Sequence, residues 1–324
     1  MTDNAILLKR ASRVEITILV DNYVDLLLPD QPGVVRPSSA KNGQMLTKTL
    51  LAEHGLSLLI DTWDGETRHR TLLDTGYNAG TLIHNMQMLD LDPGDIDALV
   101  ISHGHMDHTG SINMALEAIR RPVAVVCHPD VFRSRFIEKP KMGLVKLPQL
   151  ASREQMAERG AQLSEERGPT LIVDNTVLAT GQIPRVTSFE KGMPGARMET
   201  EGQLAVDNIE DDQALVINLA DCGLVVVSGC AHSGIINSVL YGRKLTGEDK
   251  VYAVVGGFHL TGPDMSSIID STLEELKKIN PELIVPMHCT GQSAIARFNV
   301  EFPDHFVLSS VGTRLILSAQ ACND

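Results

Sequence analysis

Three imidazoles and a carboxylate fall within six consecutive positions, His103-Gly104-His105-Met106-Asp107-His108. Nitrogen and oxygen donors of this kind suit Zn²⁺ first, and Mn²⁺ or Fe²⁺ equally by donor type, rather than the soft-metal chemistry of thiolates. The spacing does not fit one helical face, as His-Glu-x-x-His does, so a loop must fan the side chains toward two neighbouring points. One or two divalent ions are therefore expected. A catalytic site also needs open positions for water or substrate, which these four donors with one or two distant histidines would leave. An ion held there would acidify water and polarise a carbonyl or a phosphorus. The bland alternative is a solvated, histidine-rich turn, which the density of donors and the flanking Gly104 and Gly110 disfavour.

The elements that must position this loop are legible around it. Residues 98–102, Ala-Leu-Val-Ile-Ser, form an apolar, β-branched run of strand length that ends where the polar cluster begins. Residues 14–20 alternate as a half-buried strand and deliver Asp21-Asn22 toward the site, and a Pro- and Gly-rich loop follows to about residue 42. Residues 56–60 and 69–73 read as a hairpin across Asp64-Gly65, ending in Asp74-Thr75-Gly76. Asp74 suits the role of accepting the free ring N–H of a ligating histidine, although a turn-forming Asp before Gly is an equal reading from the residues alone. Helices over 79–89 and 111–120 alternate with strands over 97–101 and 122–127, after which comes His128.

The second half repeats this order. Residues 214–219 and 224–227 pair across Asp221-Cys222-Gly223, and a helix over 234–241, a strand over 251–255, a helix over 266–278 and a strand over 283–286 follow. Laid on one another, the halves align Asp74 with the turn from Cys230 to His232, the histidine loop with His259, and His128 with His288. Such a pseudo-repeat places both sets of loops on one edge of two facing sheets. Between the halves, residues 129–168 read as a partly helical insertion with an exposed helix over 152–166, and residues 193–196 with the acidic run 210–212 mark a mobile loop.

With 324 residues, 43% of them hydrophobic, the chain can bury a sizeable core, and one domain over 1–324 is expected. A net charge of -13 argues against a nucleic-acid partner. The five cysteines, at 127, 222, 230, 289 and 322, include no Cys-x-x-Cys and leave one unpaired, so neither a disulfide framework nor a zinc ribbon is indicated and a reducing compartment is expected. The lead Met1 to Arg10 lacks the pattern of a signal peptide and no apolar run reaches membrane-spanning length, so the chain reads as cytoplasmic with no membrane partner.

The run from His103 to His108 resembles the His-x-His-x-Asp-His signature of the metallo-β-lactamase-fold superfamily, an αβ/βα four-layer sandwich that binds one or two metals between its sheets. Further stretches are similar to a subgroup often named for dihydropterin-ribofuranosylaminobenzene phosphate synthase: residues 50–57, Thr180-Gly181-Gln182-Ile183-Pro184-Arg185, Ser228-Gly229-Cys230-Ala231-His232-Ser233-Gly234, Gly256-Gly257-Phe258-His259-Leu260 and Pro286-Met287-His288-Cys289-Thr290-Gly291. The similarity runs from about Val14 to Leu317. It implies His103, His105 and His232 on one metal, Asp107, His108 and His288 on the other, and Asp107 and His259 in catalysis, with His259 as a proton donor or a buried capping residue. His54, and Arg185 as an oxyanion clamp, are implied at the substrate.

The sequence departs from the superfamily at two places. Cys230 stands where a bridging Asp is usual, and Asp211-Asp212-Gln213 stands where a His is usual. Either His232 reaches back to replace a ligand, or Asp212 supplies an oxygen and two metals bind unequally, and whether Asp212 or Cys230 is a ligand is left open by the residues. Ser233 beside His232 lacks a Gly-x-Ser-x-Gly elbow, and His105 stands where flavin-linked diiron relatives use a carboxylate. The function implied is a metal-dependent hydrolase, or a hydrolase-like transferase in which the metal holds a diphosphate, acting on a small anionic substrate such as a phosphoester or pterin diphosphate. Lactone or ester hydrolysis is the second reading, and a non-catalytic metal-bearing ligand sensor the third.

Overall fold

Period-two alternation in the long strands builds the layers. Ile16, Ile18, Leu58 and Ile60 face Leu215, Ile217, Val225 and Val227 across one apolar seam. Leu59, Leu72, Leu99 and Val125 point the other way, toward Leu82 and Met86 of the helix Thr81–Met88 and toward Ile112, Leu116 and Ile119 of the helix Ile112–Ile119. On the opposite flank Val216, Val226 and Val254 pack with Ile236, Val239, Leu273 and Leu276 from the helices Ile235–Thr246 and Ser266–Ile279. The order helix, sheet, sheet, helix is the expected four-layer sandwich. Each fully buried Leu, Ile or Val contributes about 1.5–3 kcal/mol, so truncating Ile60 to Ala in the central seam would cost about 2–5 kcal/mol.

The computed structural model describes residues 5–262 and 265–322; the first four residues of the lead lie outside the described residues. One sheet runs, in spatial order, Ala161–Glu165, Val123–Cys127, Ala98–Val100, Thr67–Leu73, Ser57–Asp64, Arg13–Val20, Arg314–Ser318 and Val34–Val35. The other runs Thr170–Ile172, Val177–Ala179, Ala214–Leu219, Gly223–Ser228, Val251–Gly257 and Leu283–Met287, with Arg10–Ala11 alongside Ala214–Leu219. In each half a hairpin is followed by two helical crossovers into parallel strands, which brings three strand ends to one edge. At that edge Asp74, Ala231, His259 and His288 take φ of 59°, 53°, 45° and 51°. Left-handed backbone at non-glycine residues is costly, and at these four positions it turns the chain sharply out of the sheets.

Several expectations are corrected. The helix expected over 152–166 is confined to Arg153–Glu158. Gly160 at φ 89° follows its end, and Ala161–Glu165 pairs in parallel with Val123–Cys127, because an open sheet edge outweighs modest helix propensity. The segment expected as a mobile loop is ordered, since Ala196–Thr200 and Gln203–Val206 join Arg135–Lys139 and Gly143–Lys146 in a four-stranded sheet. Asp211 and Asp212 of the acidic run are buried, and Arg135 Nη2 lies 2.6 Å from Asp211 Oδ1. Cys222 and Cys322 form a disulfide across a separation of 100 residues, with Cα atoms 5.6 Å apart. No local spacing could announce that bond, and it removes the argument for a reducing compartment. Among the described residues no helix is long and apolar enough to cross a membrane.

Candidate metal centre

The histidine loop leaves the strand Ala98–Val100 through Ile101-Ser102, and His105 caps the short helix Met106–Thr109 that carries Asp107 and His108. Its glycines are steric requirements. A Cβ on Gly104 would lie 2.4 Å from the Val131 carbonyl oxygen, and one on Gly110 would lie 1.8 Å from that of Tyr77.

Three ring nitrogens converge. His103 Nε2 and His105 Nδ1 are 2.9 Å apart, and His232 Nε2 lies 3.2 Å from each. Ligands about 2.0–2.1 Å from a tetrahedral zinc would be separated by about 3.3 Å, so this trio has nearly the spacing of three nitrogens around one ion. Burial and the neighbouring imidazoles push His103 and His232 well below the ordinary range, and burial with Arg135 lowers His105 to about 3. Neutral imidazole is the ligating form.

Beside the trio stands a second group, Asp107, His108, Cys230 and His288, all buried, with one donor atom from each within 4.8 Å of the others. Asp107 Oδ2 lies 3.3 Å from His288 Nε2 and 3.8 Å from His108 Nε2, and His108 Nε2 lies 3.1 Å from Cys230 Sγ. His288 Nε2 is buried and without a hydrogen-bond partner, an orphan that an ion would satisfy. Cys230 Sγ also falls within reach of His103 and His232, and of His259 and Cys289. The donor set fits two divalent ions, with the thiol standing between the positions.

The polar groups behind these donors aim them. Asp74 Oδ2 accepts from His108 Nδ1 at 2.7 Å and from the Ser102 hydroxyl at 2.6 Å, while Oδ1 accepts the Ser102 N–H at 2.7 Å. Having donated its proton, Ser102 Oγ offers a lone pair to His103 Nδ1 at 3.0 Å, which turns His103 Nε2 to the trio. Burial works against a charged His108, but Asp74 and Asp107 prevail and raise its pKa to about 9. A metal must displace that proton. Burial likewise opposes ionisation of Asp107, and His108 and His288 override it, holding the carboxyl well below the usual range. His288 is held in turn: its N–H donates to Asp21 Oδ1 at 2.9 Å, its carbonyl accepts Asn22 Nδ2 at 3.2 Å, and its Nδ1 lies 3.2 Å from Asn22 Oδ1.

The remaining candidates sort by position. Asp212 Oδ2 accepts the Ser233 N–H at 2.8 Å, and Asp211 Oδ2 accepts the Gly104 N–H at 2.7 Å, so both brace metal loops from behind. His54 sits at the rim, two-thirds exposed, with Nε2 3.4 Å from Asp107 Oδ2. The His259 ring centroid is 4.4 Å from that of His232, and its buried Nδ1 has no partner. Arg185 donates from Nη2 to the carbonyls of Asn208 and His232, at 2.5 and 3.3 Å, which ties it to the back of the His232 loop. His128, aligned with His288 by the pseudo-repeat, lies instead beside Asp130 and Arg167. Sequence reasoning met Cys230 as a departure from the usual carboxylate and left open whether it or Asp212 is a ligand, and it passed over Ser102, although its place directly before the motif was a signal.

The family model of the Metallo-beta-lactamase superfamily matches residues 51–185. The 7,8-dihydropterin-6-methyl-4-(beta-D-ribofuranosyl)-aminobenzene-5'-phosphate synthase of Methanocaldococcus jannaschii is 33% identical over 79% of this chain and 87% of its own length. A second protein of that organism, the uncharacterized protein MJ0448, is 30% identical over 82% and 94%. Among solved structures, Tm1679, described as a metal-dependent hydrolase of the beta-lactamase superfamily, superposes with a TM-score of 0.71 at 24% identity, covering 94% of this chain and 99% of that one. The chain belongs to the metallo-β-lactamase superfamily, whose members typically bind divalent metals.

Proposed function

We propose that the protein is a metal-dependent enzyme, zinc being its native ion, that acts on a small anionic substrate, a phosphoester or a pterin diphosphate. The convergence of the His103, His105 and His232 nitrogens beside the Asp107, His108, Cys230 and His288 group carries this reading. The synthase name of the 33% identical relative supports the pterin alternative. When bound, a divalent ion supplies Lewis-acid polarisation and acidified water, or a hold on a diphosphate leaving group.

This chain's own residues would do the rest. Asp107, kept ionised, accepts a proton or orients a nucleophile, and the exposed ring of His54 meets the incoming anion across from it. Burial works against a charged His259, but Cys289 and the Asp212 and Asp107 carboxylates raise its pKa above the ordinary value. It is therefore placed to give a proton to a leaving group. Arg185 holds the His232 loop through Nη2, and its buried Nε, which has no partner among the described residues, keeps a donor that an oxyanion could take.

Screening the metal-loaded protein on phosphodiesters, activated pterins and lactones tests the proposal. Turnover of a phosphoester or a pterin diphosphate that is lost on chelation supports it. Turnover of lactones alone, or tight binding with no turnover, overturns it in favour of ester hydrolysis or of a ligand sensor.

A further inference from the structure

Cys289 belongs to neither of the two donor groups, yet its sulfur lies in a third. One donor atom each from Cys230, His259 and Cys289 falls within 4.8 Å of the others, and both thiols are buried. This set is built by one sheet alone. The strands Gly223–Ser228, Val251–Gly257 and Leu283–Met287 run parallel and adjacent, and their ends are level, because Ser228 pairs with Gly256 and Gly256 with Pro286. Each donor comes two residues after its strand ends, and a left-handed residue at or beside it, Ala231, His259 or His288, turns the chain there. Three neighbouring strands thus deliver two sulfurs and a ring nitrogen in one row.

The space for the second thiol is built as well. A Cβ on Gly257 would lie 2.7 Å from Cys289 Sγ and 3.4 Å from Cys230 Cα, so glycine at that position lets both cysteines close on His259. Cys289 Sγ lies 3.6 Å from the Cys230 carbonyl oxygen, a weak thiol contact, and the buried Nδ1 of His259 has no hydrogen-bond partner among the described residues. Sulfurs about 2.3 Å from a shared ion stand about 4 Å apart, which the closeness of these donors allows. A cavity of about 30 Å³ touches the set at His259, with His232 also in its wall. Two sulfurs and one nitrogen are softer than the trio or the group around Asp107, and they select a thiophilic ion such as Cu⁺ over Mn²⁺ or Fe²⁺.

We propose that Cys230, His259 and Cys289 form a separate site for one thiophilic ion of the Cu⁺ or Cd²⁺ type, and that filling it withdraws Cys230 from between the two divalent positions. The Cys230 sulfur is the shared element, since it also lies in the group of Asp107, His108 and His288. Each coordinating thiol gives its proton to water as the ion binds. The ion also engages the His259 ring, so the same event occupies the group placed above as a proton donor. This site does not depend on which substrate the protein takes.

Cadmium tests the site without any turnover. One equivalent of Cd²⁺ is added to the full chain loaded with two zinc ions, the cadmium resonance is read by NMR, and released zinc is measured. A resonance set by two sulfurs and one nitrogen is expected, with one zinc ion released. Cadmium seated with Asp107, His108 and His288 would carry one sulfur at most and resonate well upfield. Cys289→Ser should weaken cadmium binding about tenfold or more and move the resonance upfield. Cys127→Ser, at the buried free thiol of the other sheet, should change neither. A resonance with one sulfur or none in the parent protein, retention of both zinc ions beside the cadmium, or unchanged affinity and resonance in Cys289→Ser would each overturn the proposal. The parent spectrum decides even where a variant fails to fold.

Discussion

Asp74 Oδ2 lies 2.7 Å from His108 Nδ1, with both residues fully buried, and through Ser102 the same oxygen also aims His103. One carboxylate thus fixes the tautomer of a histidine in each donor group. Removing a carboxylate behind a ligating histidine typically costs 10–100-fold in metal affinity. Asp74→Asn should therefore weaken both metal positions about 10–100-fold. Competition with a chelator would measure it, and an effect on neither position would show that the network is only structural.

The Arg135–Asp211 pair joins the four-stranded outer sheet to the histidine loop, because the other oxygen of Asp211 holds the Gly104 N–H. Removing one member of a buried ion pair strands the other and costs about 3–5 kcal/mol. Arg135→Met should lower unfolding stability by about that amount and weaken the metal held by His103 and His105. Denaturant titration checks the first claim and metal titration the second. A loss of under about 1 kcal/mol would mean that solvent reaches the pair.

Much of this was legible in the sequence because it is carried by period. The alternation of residues 14–20, the apolar runs over 224–227 and before His103 and His259, and the repeated hairpin, helix, strand order all follow from side chains choosing a face or being buried on both. The donor residues were legible because ligand chemistry restricts them to few types. What escaped was set by distant partners. Asp211 reads as a surface acid until Arg135 covers it, Ala161–Glu165 as helix until an open edge pairs with it, and Cys222 as a free thiol until Cys322 arrives. Whether Cys230 or Asp212 is a ligand stayed open in the sequence, since nothing local tells that the Cys230 sulfur stands between two groups of histidines.

Glu190, which is not itself a metal donor but backs the loop after His232, gives a pH signature. Burial raises its pKa from 4.5 to about 7, against hydrogen bonds donated by the N–H groups of Ile236 and Asn237 and by the Thr187 hydroxyl. Between those values the folded chain holds a proton that the unfolded chain has lost. Stability contributed by this group is therefore full below about pH 4.5 and declines until about pH 7, by about 3 kcal/mol in all. Glu190→Gln should flatten that slope in a series of melting curves from pH 4.5 to 8. An unchanged slope would place the titration elsewhere.

The two donor groups should hold metal unequally. The trio offers three neutral imidazoles already at nearly ligand spacing, whereas the second group must shed the proton that Asp74 and Asp107 maintain on His108 before it can bind. The second position should empty first under mild chelation. His288→Ala should then leave one ion bound and the fold intact while abolishing activity, and His103→Ala should remove the tighter ion. Cys230→Ser separates the role of the sulfur. If it spans both positions, cobalt-loaded protein should show a thiolate-to-metal absorption band that the serine variant lacks, and the weaker position should weaken further. Calorimetric titration of the metal-free protein with elemental analysis decides the stoichiometry. Two equivalent tight sites, or full metal content in His288→Ala, would sink the assignment, and an unaltered cobalt spectrum in Cys230→Ser would leave the thiol as a neighbour rather than a ligand.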